Sequence, residues 1–104
     1  RIYSPKRRAI KYMTKDMSKE EMTLLITVFY DEKTNAFRVS GKIPYDNGLK
    51  TPLVFYDIIY LSSSLGRLHS GFSYNLQPYA LEFLNRNLKK GNINIQEGTF
   101  KLQK

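Results

Sequence analysis

"NLKKGNINIQEGTFKL", residues 87–102, reads as the end of a helix, an abrupt stop and two short strands about a turn. Lys89 and Lys90 suit the negative end of a helix dipole, and Gly91 supplies the left-handed residue that halts one. Beyond it Ile93 and Ile95 alternate, Glu97-Gly98 turns, and Phe100 and Leu102 alternate again, which is the pattern of a hairpin. Upstream, Leu76, Tyr79, Ala80, Phe83, Leu84 and Leu88 recur at helical spacing. The spacing predicts a helix over 75–90, with Asn75 as its cap and Pro78 harmless in the first turn.

The region before this helix allows more than one reading. In "SKEEMTLLITVFYDEKTNAFRVSGKI" (18–43), Ser18 and Glu21 form a capping-box pattern, and Met22, Leu25, Ile26 and Phe29 share a helical face. Leu24 and Val28 point the other way, and the β-branched and aromatic run "TLLITVFY" favours a strand. A hairpin pairing 23–30 with 36–43 across the turn "DEKTN" is the favoured expectation, and helix-then-strand is the alternative. Thr51-Pro52, followed by Val54, Ile58, Leu61, Leu65 and a terminating Gly66, predicts a helix over 53–65. The β-rich "VFYDIIY" favours a strand there instead.

The chain has 104 residues, 41% of them hydrophobic, which suits one compact domain with a modest core. The net charge is +8, and it is unevenly spread. Residues 1–19 hold seven Lys/Arg against one Asp, residues 20–66 hold four against six acids, and residues 67–104 hold six against two. Basic ends flanking a slightly acidic middle point to a polyanionic partner, nucleic acid first. The first segment, "RIYSPKRRAIKYMTKDM" (1–17), is expected to be an extended basic arm, because Pro5 discourages helix and the charges at 6–8 repel. A single α+β domain is expected over 18–104. The start at Arg1 without methionine fits a processed form or an excised domain.

Several function classes find no support in the residues. With no cysteine, disulfides, Cys-ligated zinc and a Cys nucleophile are excluded. The longest apolar run, "PLVFYDIIYL" at 52–61, is broken by Asp57 and is too short to cross a membrane. His69 is the one histidine. It stands in "RLHSGFS", which lacks the nucleophile-elbow pattern, and it reads as a loop residue with a structural or contact role. The carboxylates form no metal-binding spacing, and no glycine-rich phosphate cradle exists. A non-enzymatic protein with no cofactor and no metal is therefore expected. The taste for Lys, Asn, Ile and Tyr points to an AT-rich source such as a plasmid or phage, and a cytoplasmic location is expected, with secretion the alternative.

A strand at 36–43, a helix at 53–65, a helix at 75–90 and a closing hairpin resemble a winged-helix DNA-binding domain in element order. The resemblance covers roughly residues 36–102. It implies that the second helix faces the major groove through Asn85, Arg86 and Lys89, with Lys90 at its end, and that the hairpin acts as a wing. Glu82 on that face and the long connection 66–74 depart from the pattern, which moves contacts toward Asn94, Gln96, Lys101 and Lys104 of the wing. The arm would add Lys6, Arg7, Arg8 and Lys11, neutralising phosphates or lying in the minor groove. The expected fold is a small winged-helix-like α+β domain with β-hairpins and two helices. A curved antiparallel sheet covered by one helix is the alternative, in which Tyr30, Tyr45, Tyr56, Tyr60 or Tyr74 would stack unpaired bases. DNA is the expected partner, bound by a homodimer on two half-sites, and a protein partner matched to the basic surface is the competing class.

Overall fold

A computed structural model describes residues 4–67 and 71–101, with side chains through Ser63 and from Gly71 onward. The chain is α+β. Its first element corrects the extended arm: Pro5–Lys11 is a helix, α1, which runs on through a wider π turn, Tyr12–Asp16. Pro5 does not oppose it, because it occupies the first helical position behind the cap Ser4, where its missing N–H costs nothing. The basic charges at 6–8 are tolerated because Lys6 and Arg7 face solvent while Arg8 turns inward. Ala9, Tyr12 and Met13 then lie three and four residues apart and enter the core.

The π turn closes with the Met17 amide donating to the Tyr12 carbonyl at 2.8 Å, and Ser18 starts α2 (Lys19–Phe29). The capping box is present. Ser18 Oγ accepts from the Glu21 amide at 3.1 Å, and Glu21 Oε1 accepts from the Ser18 amide at 2.9 Å. This region is helix-then-strand, so the favoured 23–30/36–43 hairpin is corrected. The apolar residues on both sides of the pattern have a simple origin: α2 is covered on both sides. Val28 meets the backbone of Gly41, where an added Cβ would lie 2.4 Å from Val28 Cγ1. Thr23 meets Gly98, where it would lie 2.5 Å from Thr23 Oγ1. Arg38 finishes the helix, its amide donating to the Phe29 carbonyl (2.7 Å) and its Nη2 to the Val28 carbonyl (3.0 Å).

A small hairpin follows, β1 (Tyr30–Asp31) with β2 (Ala36–Phe37), and then β3 (Ser40–Ile43). The helix expected at 53–65 is also corrected. A short helix α3 spans Lys50–Phe55, the chain reverses at Asp57 with φ 62°, and β4 runs from Ile59 to Arg67. The β-branched and aromatic composition of 58–61 prevails there over the helical spacing. β5 (Gly71–Leu76) pairs with β4 and β3, giving a three-stranded antiparallel sheet in the order β3-β5-β4. Ile43, Tyr74, Leu76 and Ile59 are buried, whereas Ser40, Lys42 and Tyr60 are exposed.

α4 spans Pro78–Lys89 and stops at Gly91 (φ 79°). Its cap position is Gln77, and the expected cap Asn75 is instead a strand residue hydrogen-bonded to Ser40. β6 (Ile93–Asn94) and β7 (Thr99–Phe100) form the closing hairpin. α4 packs against α1 and against β2.

Burial and the Glu21 carboxylate at its hydroxyl push the Tyr12 phenol above its ordinary range. The folded chain thus holds a proton that the unfolded chain releases near pH ~10. This contribution to stability is full below that pH and is lost as the pH rises beyond it. Urea unfolding across pH 8–12 should show stability falling above about pH 10, and a shallower fall in Tyr12→Phe. Equal slopes would contradict the linkage.

Candidate nucleic-acid interface

Folding sorts the expected contact residues into those left on the surface and those consumed by the structure. On α1, Lys6, Arg7 and Lys11 are exposed, as is Lys15 in the π turn. They surround half-buried Ile10 in one shallow cleft. None of the four forms an ion pair among the described residues. A helix with seven-eleven-fifteen spacing aligns Arg7, Lys11 and Lys15 along one side, a pattern visible only once the segment is known to be helical.

Arg8 has another role. Its Nη2 donates to the Phe55 carbonyl at 2.8 Å, its guanidinium lies 4.4 Å from the Phe55 ring centroid and 4.9 Å from that of Tyr56, and Nε is 4.0 Å from Asp57 Oδ2. These contacts fasten α1 to the α3–β4 corner. Arg8 is thereby withdrawn from the exposed set.

The C-terminal unit divides in the same way. Lys89 and Lys90 are exposed at the end of α4, where the dipole favours cations. Arg86 is exposed and paired with Glu82 at 3.4 Å, one turn away. Asn85 accepts from the Phe37 amide at 2.7 Å through Oδ1 and donates to the Phe37 carbonyl at 3.4 Å through Nδ2. Its side chain thus imitates a neighbouring strand along β2, which commits one acceptor site and one donor of the amide to the fold. Asn94 accepts from the Glu97 amide at 2.9 Å and holds the β6–β7 turn, while Gln96 and Lys101 are exposed. His69 and Lys104 lie outside the described residues.

The tyrosine pool is similarly reduced. Tyr74 is buried, and Tyr56 stacks on Tyr12 with centroids 4.1 Å apart and planes at 8°. Tyr30 meets Phe37 edge-on at 5.7 Å. Tyr45 and Tyr60 remain exposed, Tyr60 beside Asn75 on the open sheet face. Sequence reasoning missed a groove between the two small hairpins, lined by Asn35, Asn92, Asn94, Gln96, Thr99 and Lys101 together with Tyr30. No local motif marks it, because its walls come from segments about sixty residues apart in sequence.

Among the described residues, no three His, Cys, Asp or Glu side chains are gathered so as to hold a metal ion, and no helix is long and apolar enough to cross a membrane. No protein-family model, no curated protein and no solved structure matches the chain.

The Asn85 geometry separates a structural role from base reading. Asn85→Ala strands the Phe37 amide and carbonyl, so urea unfolding should show a loss of about 1–3 kcal/mol. Unchanged stability together with loss of DNA binding would make Asn85 a base reader instead.

Proposed function

We propose that the protein is a non-enzymatic nucleic-acid-binding protein of accessory or regulatory type, with duplex DNA as its partner. The observation that carries this reading is the set of four exposed, unpaired cations, Lys6, Arg7, Lys11 and Lys15, held on one docked helix. A folded helix presents these charges without the ordering cost that a loose arm would incur on binding. Phosphate contacts of this type release condensed counterions and carry most of the affinity. Lys89, Lys90 and Lys101 supply further cations on the C-terminal unit, whose helix packs against α1.

In this reading the winged-helix resemblance survives in the C-terminal unit, with β6–β7 as the wing against the backbone. With Asn85 held by Phe37 and Arg86 paired with Glu82, α4 contributes its terminal lysines to phosphate contacts, so binding is weakly sequence-specific. A homodimer on two half-sites would raise affinity. A second reading, a protein partner, draws on the exposed side chains of Tyr45, Val54, Phe55 and Leu61, of which Phe55 is 63% exposed.

Fluorescence anisotropy on duplex and single-stranded DNA across a salt series tests the proposal. Affinity should fall steeply with salt, and neutralising Lys6, Arg7 and Lys11 together should flatten the log–log slope by about 3 units. Absence of binding at low salt would end the DNA reading, and saturable protein binding at high salt would favour the second. Preference for single strands would point to a contact with unpaired bases, at the Tyr60 sheet face or in the groove between the two small hairpins.

A further inference from the structure

The groove between the β1–β2 and β6–β7 hairpins has a volume of about 610 Å³, within the range of small-ligand sites. Its walls are set by backbone that has few alternatives. Asn35 (φ 55°) and Gly98 (φ 70°) hold left-handed conformations at the hairpin turns, and Gly91 (φ 79°) does so at the end of α4. The Lys101 amide donates to the Asn92 carbonyl at 2.6 Å, and the Asn92 amide donates to the Asn87 carbonyl at 2.9 Å. The floor and one wall are thus tied to α4.

Hydrogen-bond chemistry fixes which way two of the groove's amides face. The Phe83 carbonyl only accepts, so buried Asn87 turns Nδ2 to it at 2.9 Å. Asn87 Oδ1 must then accept, and it takes Asn92 Nδ2 at 2.8 Å. Asn92 Oδ1 is left as an acceptor with no partner among the described residues. At Asn94 the logic inverts. The Glu97 amide only donates, so Asn94 commits Oδ1 to it at 2.9 Å and keeps Nδ2 as an unspent donor. Gln96, Thr99 and the Lys101 ammonium have no side-chain partner among the described residues either.

An unspent acceptor on Asn92 and an unspent donor on Asn94 lining one groove, with a third amide, Gln96, beside them, match the edge of a nucleobase, which presents both. Lys101 at the same groove suits a phosphate, with the exposed Glu97 carboxylate lining the groove as well, and the half-buried Tyr30, edge-on to Phe37, adds an aromatic wall. We propose that this groove takes one unpaired nucleotide, its base edge against Asn92, Asn94 and Gln96 and its phosphate at Lys101. The nucleotide is either free or extruded from a bound strand; only the second case rests on the DNA reading above. Chain-borne nucleotides would give the protein a preference for bulged or single-stranded positions that the α1 cations, which meet phosphates alone, do not supply.

Two titrations test this. In the first, adenosine monophosphate is added to ¹⁵N-labelled protein; shifts should concentrate at the amides of Asn92, Asn94, Gln96 and Lys101. In the second, anisotropy compares a duplex carrying one extrahelical adenine with its fully paired counterpart, and the bulged form should bind at least about fivefold more tightly, the lower end of what a paired amide–base contact discriminates. Asn94→Asp keeps the acceptor that the Glu97 amide needs and removes the donor; this variant and Gln96→Ala should bring the ratio to one. Shifts without any DNA binding support a free-nucleotide site and end the DNA reading. A bulge preference without monophosphate shifts supports the strand-borne case. Equal affinities for the two duplexes and no localised shifts overturn the groove, while duplex binding that persists leaves the DNA reading in place.

Discussion

The Glu21 carboxylate is the point on which the rest of the molecule turns. It is buried, with 6% of its surface exposed, and a carboxylate in that position must be supplied with donors. It has two through one oxygen: the Ser18 amide at 2.9 Å, which starts α2, and the Tyr12 hydroxyl at 2.7 Å, which belongs to the preceding helical segment. One side chain therefore both begins the central helix and fastens the N-terminal segment to it. From Tyr12 the connection runs on through its stacked partner Tyr56 to the α3–β4 corner, where Arg8 also grips Phe55. Met13, next to Tyr12 and with no exposed surface, joins the core.

That docking determines the electrostatics of the surface. Three successive cations, Lys6, Arg7 and Arg8, look equivalent in sequence, yet the helix divides them into two that face solvent and one that becomes structural. Asparagine is partitioned in the same manner. Asn85 serves as a false strand for Phe37, Asn87 holds the end of α4, and Asn92 and Asn94 each keep a free amide atom beside a groove. An asparagine near a basic helix is therefore no guide to base recognition until its hydrogen-bond partners are known.

The C-terminal third was the most legible part of the chain, because its signals are local and agree with one another. The apolar spacing of α4, its first-turn proline, the glycine stop and the Glu97-Gly98 turn all act within a few residues. The N-terminal half was harder to read for a physical reason. α2 is covered on both sides, so it lost the one-sided apolar stripe that distinguishes a helix, and its β-branched residues then argued for a strand. At 53–65 the sequence carries a helix start and a strand composition in succession, and the chain uses both, with Asp57 in the left-handed region as the break. The surface cations of the candidate site were visible as composition. Their sorting depended on tertiary contacts such as Arg8 to Phe55 and Asn85 to Phe37, each spanning more than forty residues, which no local pattern encodes.

The basic N-terminal segment is a folded helix docked in the core and not a loose arm. Native-state hydrogen exchange of the backbone amides from Ile10 to Met17 tests it most directly. Docking through Ala9, Tyr12 and Met13 predicts opening free energies for these amides that approach those of α2 and α4. Exchange at the rate of an unstructured chain, with α2 and α4 still protected, would contradict it.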